Sequence, residues 1–323
     1  ASRGLGDVYK RQMIISASRR TDIPAFYSEW FFNRIKDGYV LVRNPMNIHQ
    51  VSRIKLTPDV VDCIVFWTKN PRPMLSRLDE LKDFKFYFQF TLNSYSTDVE
   101  PNVPSKGREV IDTFIELSER IGPERIIWRY DPIIITEKYS IEYHATYFEK
   151  LAETLNGKFH RCVISFVDEY KKNAKNFRNN GLRELDMNQM VKIAQRFSEI
   201  AERYNFKIYS CAEQIDLSNY GIEHNSCIDK ELIERLVGAK LKVKKDSTQR
   251  EECGCVDSID IGSYNTCTHG CKYCYANYSY NVVAANFGCY NPDSPLLCGT
   301  IMPDDKITVR PMKSLIDNQL DLW

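Results

Sequence analysis

The sequence predicts an α/β protein, a partial TIM-like βα barrel with parallel strands. Three observations predict it. Short apolar runs rich in β-branched and aromatic residues recur along the chain. Amphipathic stretches of helical period stand between most of them. Polar residues follow nearly every run, where a barrel of this kind builds its site. Strand and helix in alternation point to a parallel sheet under covering helices, and seven runs suit a barrel better than an open sheet.

Residues 1–12, ASRGLGDVYKRQ, lack the apolar centre of a signal peptide and read as a leader foreign to the fold. A single domain is then expected over 13–323. Its strand-length runs are MIISAS (13–18), DCIVFW (62–67), FKFYFQFTL (84–92), RIIWRY (125–130), CVISFV (162–167), FKIYSC (206–211) and VDSIDIG (256–262). Helical patterns include GREVIDTFIELSERIG (107–122) and MNQMVKIAQRFSEIAERYN (187–205), and VLVRNPMNIHQVSRIKL (40–56) reads as an inserted hairpin. With 323 residues and 43% hydrophobic content the chain can bury a sizeable core. No apolar run approaches the roughly 18 residues of a membrane helix.

A formal net charge of +1 demands no polyanionic partner. The basic stretch 239–250 lacks interleaved aromatics and reads as a solvated loop rather than a nucleic-acid contact. No two of the five histidines are spaced i, i+4, and there is no Gly-rich phosphate loop. The absence of an export signal leads us to expect a reducing cytoplasm, where eleven cysteines mean metal or redox chemistry rather than disulfides. Seven of the eleven fall between Cys253 and Cys298, so a cysteine-rich segment spans about 211–298.

The run exits supply candidate binding residues: Arg19, Arg20 and Asp22, then Lys69, Gln89, Arg129 with Asp131, and Glu213. Strand ends are often polar because loops face water. Gln89 and Arg129, however, lie inside apolar runs, where an unsatisfied polar group costs roughly 1–3 kcal/mol.

CTHGCKYCYAN (267–277) places Cys267, Cys271 and Cys274 in one loop after the last run. Three thiolates can hold three irons of a [4Fe–4S] cluster and leave the fourth iron open for chemistry. The alternative is a structural zinc ion completed by His269 or a distant cysteine, although zinc ribbons pair two C-x2-C knuckles and only one stands here. Cys253 and Cys255 share a face if extended, and with Cys211 and Cys227 they would make a second, closed site for a cluster or zinc. Cys211 ends a strand while Cys255 precedes one, so loop 239–255 must fold back over the mouth to unite them. Otherwise Cys211 is a small buried hydrophobe and the C-x-C is incidental. Cys63 and Cys162 read as core packing, and Cys289 and Cys298 receive no role.

With Tyr273 before its last cysteine, the loop resembles that of the radical S-adenosylmethionine enzymes. The resemblance implies a [4Fe–4S] cluster whose open iron binds S-adenosylmethionine, a 5′-deoxyadenosyl radical acting on an unidentified substrate, and a flavodoxin or ferredoxin as low-potential donor. The exit of run 13–18 lacks the glycine-rich motif that often binds the methionine amino group in that superfamily; by position alone, Asp22 is assigned to the amino group and Arg19 or Arg20 to the carboxylate, while Tyr273, Tyr275, Tyr278 and Tyr280 either wall the adenosine or belong to the core. In that superfamily the cluster loop usually follows the first strand, so a circularly permuted order is expected here. SRRTDIPA (18–25), FWTKNP (66–71), WRYDP (128–132) and CGCVDSIDIG (253–262) resemble the bacterial family known as domain of unknown function 1848, from Met13 to about the C-terminus. The rivals to a radical enzyme are a non-catalytic zinc or iron–sulfur protein with a structural or redox-sensing role, and a metal-independent or hydrolytic barrel enzyme.

Overall fold

The structure, a computed structural model, describes residues 13–169, 174–311 and 315–316; the leader expected over 1–12 lies outside them. Its strands are β1 (Ile14–Ala17), β2 (Tyr39–Asn44), β3 (Asn47–Lys55), β4 (Cys63–Thr68), β5 (Phe86–Thr91), β6 (Ile126–Ile133), β7 (Arg161–Phe166), β8 (Lys207–Ser210), β9 (Glu223–His224), β10 (Ile259–Asp260) and β11 (Lys306–Val309). Its helices are α1 (Ile23–Phe26), α2 (Ser28–Asp37), α3 (Arg72–Leu75), α4 (Ile111–Ile121), α5 (Ile141–Thr154), α6 (Ala174–Asn179), α7 (Met187–Arg203), α8 (Lys230–Val237) and α9 (Tyr280–Gly288).

All seven expected runs join one sheet, ordered β10-β1-β4-β5-β6-β7-β8-β9, with every pairing parallel. The last run lies beside the first, with Ile15 opposite Ile259. The ladders leave two edge strands, β10 and β9. The hairpin at 40–56 is present as antiparallel β2 and β3, and β11 adds to β3 in a separate three-stranded sheet. Of the run 256–262 only two residues pair with β1, because Val256 is drawn into an antiparallel bridge with Lys245. The helix expected over 107–122 starts as a π turn at Lys106–Val110 and becomes regular at Ile111. No helix among the described residues is long and apolar enough to cross a membrane.

Side-chain alternation divides the sheet into two faces. Ile64 and Phe66, Phe86 and Phe88, Ile126 and Trp128, and Cys162 and Ile164 pack outward into the larger core. Helices cover that side: Phe114 of α4 meets Phe90 at 4.8 Å, and Trp128, Phe148 of α5 and Phe197 of α7 stack at 4.8 and 3.8 Å. Each such ring gains about 1.5–3 kcal/mol from burial. A capping box of Asp186 and Gln189 starts α7. On the opposite face Ile14, Cys63, Val65, Tyr87, Ile127 and Val163 form a second cluster, covered by Ile228, Leu232 and Ile233 together with Cys227, Cys253 and Cys255. Cys63 and Cys162 are thus fully buried packing residues, one on each face.

Candidate functional site

The inner face changes character along the strands. Two residues beyond the apolar layer the same period brings up Trp67, Gln89, Arg129, Ser165 and Cys211. Beyond the strand ends lies a cavity of about 1240 Å³. All seven cysteines singled out by spacing line it, as do Arg19, Arg20, Asp22, Lys69, Arg129, Asp131 and Tyr273. Gln89 and Glu213, expected to join them, lie behind this lining. Gln89 is buried and occupied: its amide donates to the Cys227 carbonyl at 2.8 Å and accepts from Arg129 Nη1 at 3.3 Å. Glu213 accepts the Phe166 N–H at 2.8 Å, and burial, with Asp168 and Asp131 nearby, pushes its carboxyl up to about 7.

The loop carrying Cys267, Cys271 and Cys274 is fixed by backbone contacts along its length. Tyr27 Oη donates to the Thr266 carbonyl at 2.5 Å and Asn277 Nδ2 to the Cys267 carbonyl at 2.6 Å. The Asn102 N–H reaches the His269 carbonyl at 3.1 Å, and the Lys272 N–H reaches that of Val99 at 3.0 Å. Cys271 is buried, and Cys267 and Cys274 are half-buried. Burial raises all three thiols. For Cys267 the nearness of Cys274, Asp22 and Cys271 adds to it, and Cys271 rises to about 12 although Lys69 opposes. A bound cation is the ordinary means of ionising buried neighbouring thiols, so this donor set suits a metal centre.

Asp22 and His269 support the loop. Asp22 caps α1 by accepting the Ala25 N–H at 3.0 Å, and its other oxygen accepts from the Lys69 N–H at 2.7 Å and His269 Nε2 at 2.8 Å. Three donors therefore hold the carboxylate that its position had assigned to a methionine amino group. His269 is buried, and its Nδ1 has no hydrogen-bond partner. Lys69 donates to Glu100 Oε1 at 2.7 Å and stands 5.5 Å from the Tyr273 ring centre. Lys106 and the Tyr273 hydroxyl also donate to Glu100. Burial would raise the Glu100 carboxyl, but Lys69 and Lys106 outweigh it and hold the group well below its usual range.

Arg19 and Arg20 reach the cavity with loose contacts. Arg19 Nη2 lies 3.3 Å from Ser258 Oγ and 3.5 Å from Asp246; Arg20 lies 3.5 Å from the Gly262 carbonyl and 3.9 Å from Asp260. Asp260 aligns this corner, accepting from Ser16 Oγ at 2.8 Å, Ser18 Oγ at 2.6 Å, and the N–H groups of Arg19 and Gly262 at 2.8 and 2.9 Å. Gly262 is required there, since a Cβ would stand 2.1 Å from Ser18 Oγ.

The other four thiols also converge, because the chain from 239 to 255 folds back as expected. Cys211 Sγ lies 3.2 Å from Cys227 Sγ, Cys255 neighbours both Cys227 and Cys253, and no three of the four sulfurs lie within 4.8 Å of one another, so they form a line of pairs rather than a closed group. Arg129 Nη1 donates to Cys227 Sγ at 2.8 Å, while its Nε pairs with both Asp131 oxygens at 3.2 and 3.0 Å. Hydrogen bonds from Cys211 and Cys255, then the Arg129 charge, pull the Cys227 thiol well below its ordinary value and leave Cys211 and Cys255 raised. The Cys255 hydrogen bond lowers Cys253 to about 7. Among the described residues, only His49, Asp304 and Asp305 bring three possible ligand atoms within 4.8 Å of one another; that group is exposed or half-exposed, and Arg43 already pairs with both Asp305 oxygens.

A family model matches residues 14–276, most of the chain. The chain belongs to the family described as Domain of unknown function (DUF1848). No curated protein matches it. All sixteen residues proposed from the DUF1848 sequence lie inside the matched span. The match stops at Ala276, short of the C-terminus where the resemblance was expected to end, and so leaves out α9, β11, Cys289 and Cys298. Reading the sequence passed over Glu100, Lys106 and Asp260. Asp260 carried a usable signal, a charge within an apolar run, as Arg129 did. Glu100 sits in the loop before the π turn at Lys106–Val110 and Lys106 is the first residue of that turn, one position ahead of the helical pattern at 107–122, where no periodicity marks them.

Proposed function

We propose that this DUF1848 protein is a radical S-adenosylmethionine enzyme in which Cys267, Cys271 and Cys274 hold a [4Fe–4S] cluster at the cavity wall. The observation that carries the reading is the set of three adjacent, raised thiols on one anchored loop that opens onto a cavity lined by strand-end residues. When bound, the cluster and S-adenosylmethionine would supply a reductively formed 5′-deoxyadenosyl radical to take a hydrogen atom from a substrate still to be identified.

The chain's own residues have the following parts. The three thiols give up their protons and become ligands. Lys69 sets a positive charge beside Cys271, and Glu100 fixes its position. Arg19 and Arg20 offer guanidinium donors suited to a carboxylate, and Asp260 orients the backbone that carries them. Asp22 and His269 hold the loop in place rather than meeting the cofactor. In this reading β10 takes the first place of a permuted, barrel-like sheet, which its pairing with β1 supports. A flavodoxin or ferredoxin in a reducing cytoplasm would deliver the electron.

The test is anaerobic reconstitution with iron and sulfide, followed by dithionite and S-adenosylmethionine. 5′-Deoxyadenosine is expected from the wild type and not from Cys271→Ala. No product, with zinc retained and no iron–sulfur absorption, would leave the non-catalytic metal-binding reading, which the four-thiol group favours.

A further inference from the structure

The second thiol group has no part in that chemistry, and its place in the fold suggests what it does. Cys211 follows β8, Cys227 follows β9, and Cys253 and Cys255 lead toward β10. β9 is one edge of the eight-stranded sheet and β10 is the other. Among the described residues no ladder joins these edges. Irregular backbone joins them instead: the Val256 N–H donates to the Ile228 carbonyl at 3.2 Å, Ser226 Oγ to the Gly254 carbonyl at 2.9 Å, and the Ile228 N–H to Cys255 Sγ at 3.3 Å. The thiols stand along this seam.

We propose that Cys211, Cys227, Cys253 and Cys255 bind one tetrahedral zinc-class ion that staples the two sheet edges together. Four thiolates form a closed structural donor set. The sulfurs run as a chain, 211 to 227 to 255 to 253. With zinc–sulfur bonds near 2.3 Å, thiolates sharing one ion sit about 3.8 Å apart. The 3.2 Å between Cys211 and Cys227 is on that scale, while no three of the four sulfurs yet lie within 4.8 Å of one another. An ion closes the chain by drawing its ends inward, and the four thiol protons leave to solvent. Four thiolates around a divalent ion carry a net charge of −2, and donors are in place to meet it. Arg129 Nη1 and Asn225 Nδ2 reach Cys227 Sγ at 2.8 and 3.4 Å. Tyr87 Oη and Gln89 Nε2 hold the Cys227 carbonyl at 2.6 and 2.8 Å, so the ligand is locked to β5.

The test uses the full chain with Cys267, Cys271 and Cys274 all changed to Ala, so its outcome does not depend on the proposed radical chemistry. One zinc per chain is expected by elemental analysis. Cobalt exchanged for it should show the visible bands of a tetrahedral tetrathiolate. Adding Cys253→Ser and Cys255→Ser should lower metal content to about a tenth or less. Stripping the metal should speed amide exchange about tenfold or more at 225–229 and 253–260, and leave β4 to β6 protected. Iron and sulfide held in multiples by the four cysteines would overturn the proposal, as would a metal-free protein with a Cys211–Cys227 disulfide on peptide mapping. Zinc surviving the serine changes would overturn it too. If the serine variant does not fold, stoichiometry and the cobalt spectrum of the alanine background decide alone.

Discussion

The loop thiols and the edge thiols line one cavity but are held in different ways. Cys267, Cys271 and Cys274 come from eight consecutive residues; neighbouring loops grip their backbone, and the backbone hydrogen bonds to the Cys267 and Cys274 sulfurs come from His269, Ala276 and Asn277 of the same loop. Cys211, Cys227, Cys253 and Cys255 come from three separate segments, and N–H groups of Arg129, Asn225 and Ile228 point at the sulfurs themselves. With the metals proposed above, the first arrangement would leave room for a ligand beside the metal, while the second would use all of its ligands on the ion. Openness suits chemistry and closure suits architecture.

The sharpest way to break this comparison is to remove ligands one set at a time. Cys267→Ala or Cys274→Ala should reduce cluster iron and 5′-deoxyadenosine to background and leave the zinc of the edge set unchanged, by elemental analysis and product assay. A parallel loss of both metals would mean that the two sets form one unit.

The next largest effect concerns the charge behind Cys271. Glu100→Gln leaves Lys69 and Lys106 as buried ammonium groups with no carboxylate between them. Breaking a buried ion pair from one side costs about 3–5 kcal/mol. Urea unfolding should show a loss of that size. An unchanged midpoint would mean that the two lysines find water.

How much of this was legible in the sequence follows from range. Strands β1, β4, β5, β6 and β7 showed themselves by composition because each is largely buried on both faces. The loop set was legible because its ligands share one short stretch with fixed spacing. The edge set was legible only as Cys253 and Cys255 plus a guess at partners, since its assembly depends on how 239–255 folds. Glu100 was invisible for the same reason: its partners lie 31, 6 and 173 residues away. Gln89 was noticed for the right reason, a polar group in an apolar strand, but it serves the Cys227 backbone and not the cavity.

Acid should act on the loop side through His144. This ring is fully buried among Tyr95, Tyr130, Tyr139 and Tyr143, and Tyr95 packs against Tyr273 of the cysteine loop. Its Nε2 faces the Ile134 carbonyl, so that nitrogen carries the proton, and Nδ1 accepts from the Tyr130 hydroxyl; both contacts are 2.8 Å. Burial lowers the imidazole from 6.5 to about 4. Between those values the unfolded chain binds the proton and the folded one does not, so stability falls as pH falls. The contribution is complete above pH 6.5 and fades toward pH 4, by at most about 3 kcal/mol. Unfolding free energies across this window should slope less in His144→Gln than in the wild type.

The smallest effects set one glycine on each side of the comparison. Gly262 leads into the cysteine loop, and a Cβ there would meet Ser18 Oγ at 2.1 Å and Ser18 Cβ at 2.6 Å. Turning the serine hydroxyl clears the first clash but not the second, and it frees the bond to Asp260 that aligns Arg19. Gly262→Ala should therefore cost about 1–3 kcal/mol as overpacking, with a thermal midpoint several degrees lower. Gly254 lies between two edge ligands, and there a Cβ meets Ser226 Oγ at 2.4 Å, with the next atom, a backbone oxygen, at 3.4 Å. Rotation of Ser226 relieves that clash and gives up its hydrogen bond to the Gly254 carbonyl, worth about 1 kcal/mol. Gly254→Ala should cost no more than that and keep its zinc. The reverse order of the two losses would mean that the seam, and not the loop corner, is the tighter of the two sites.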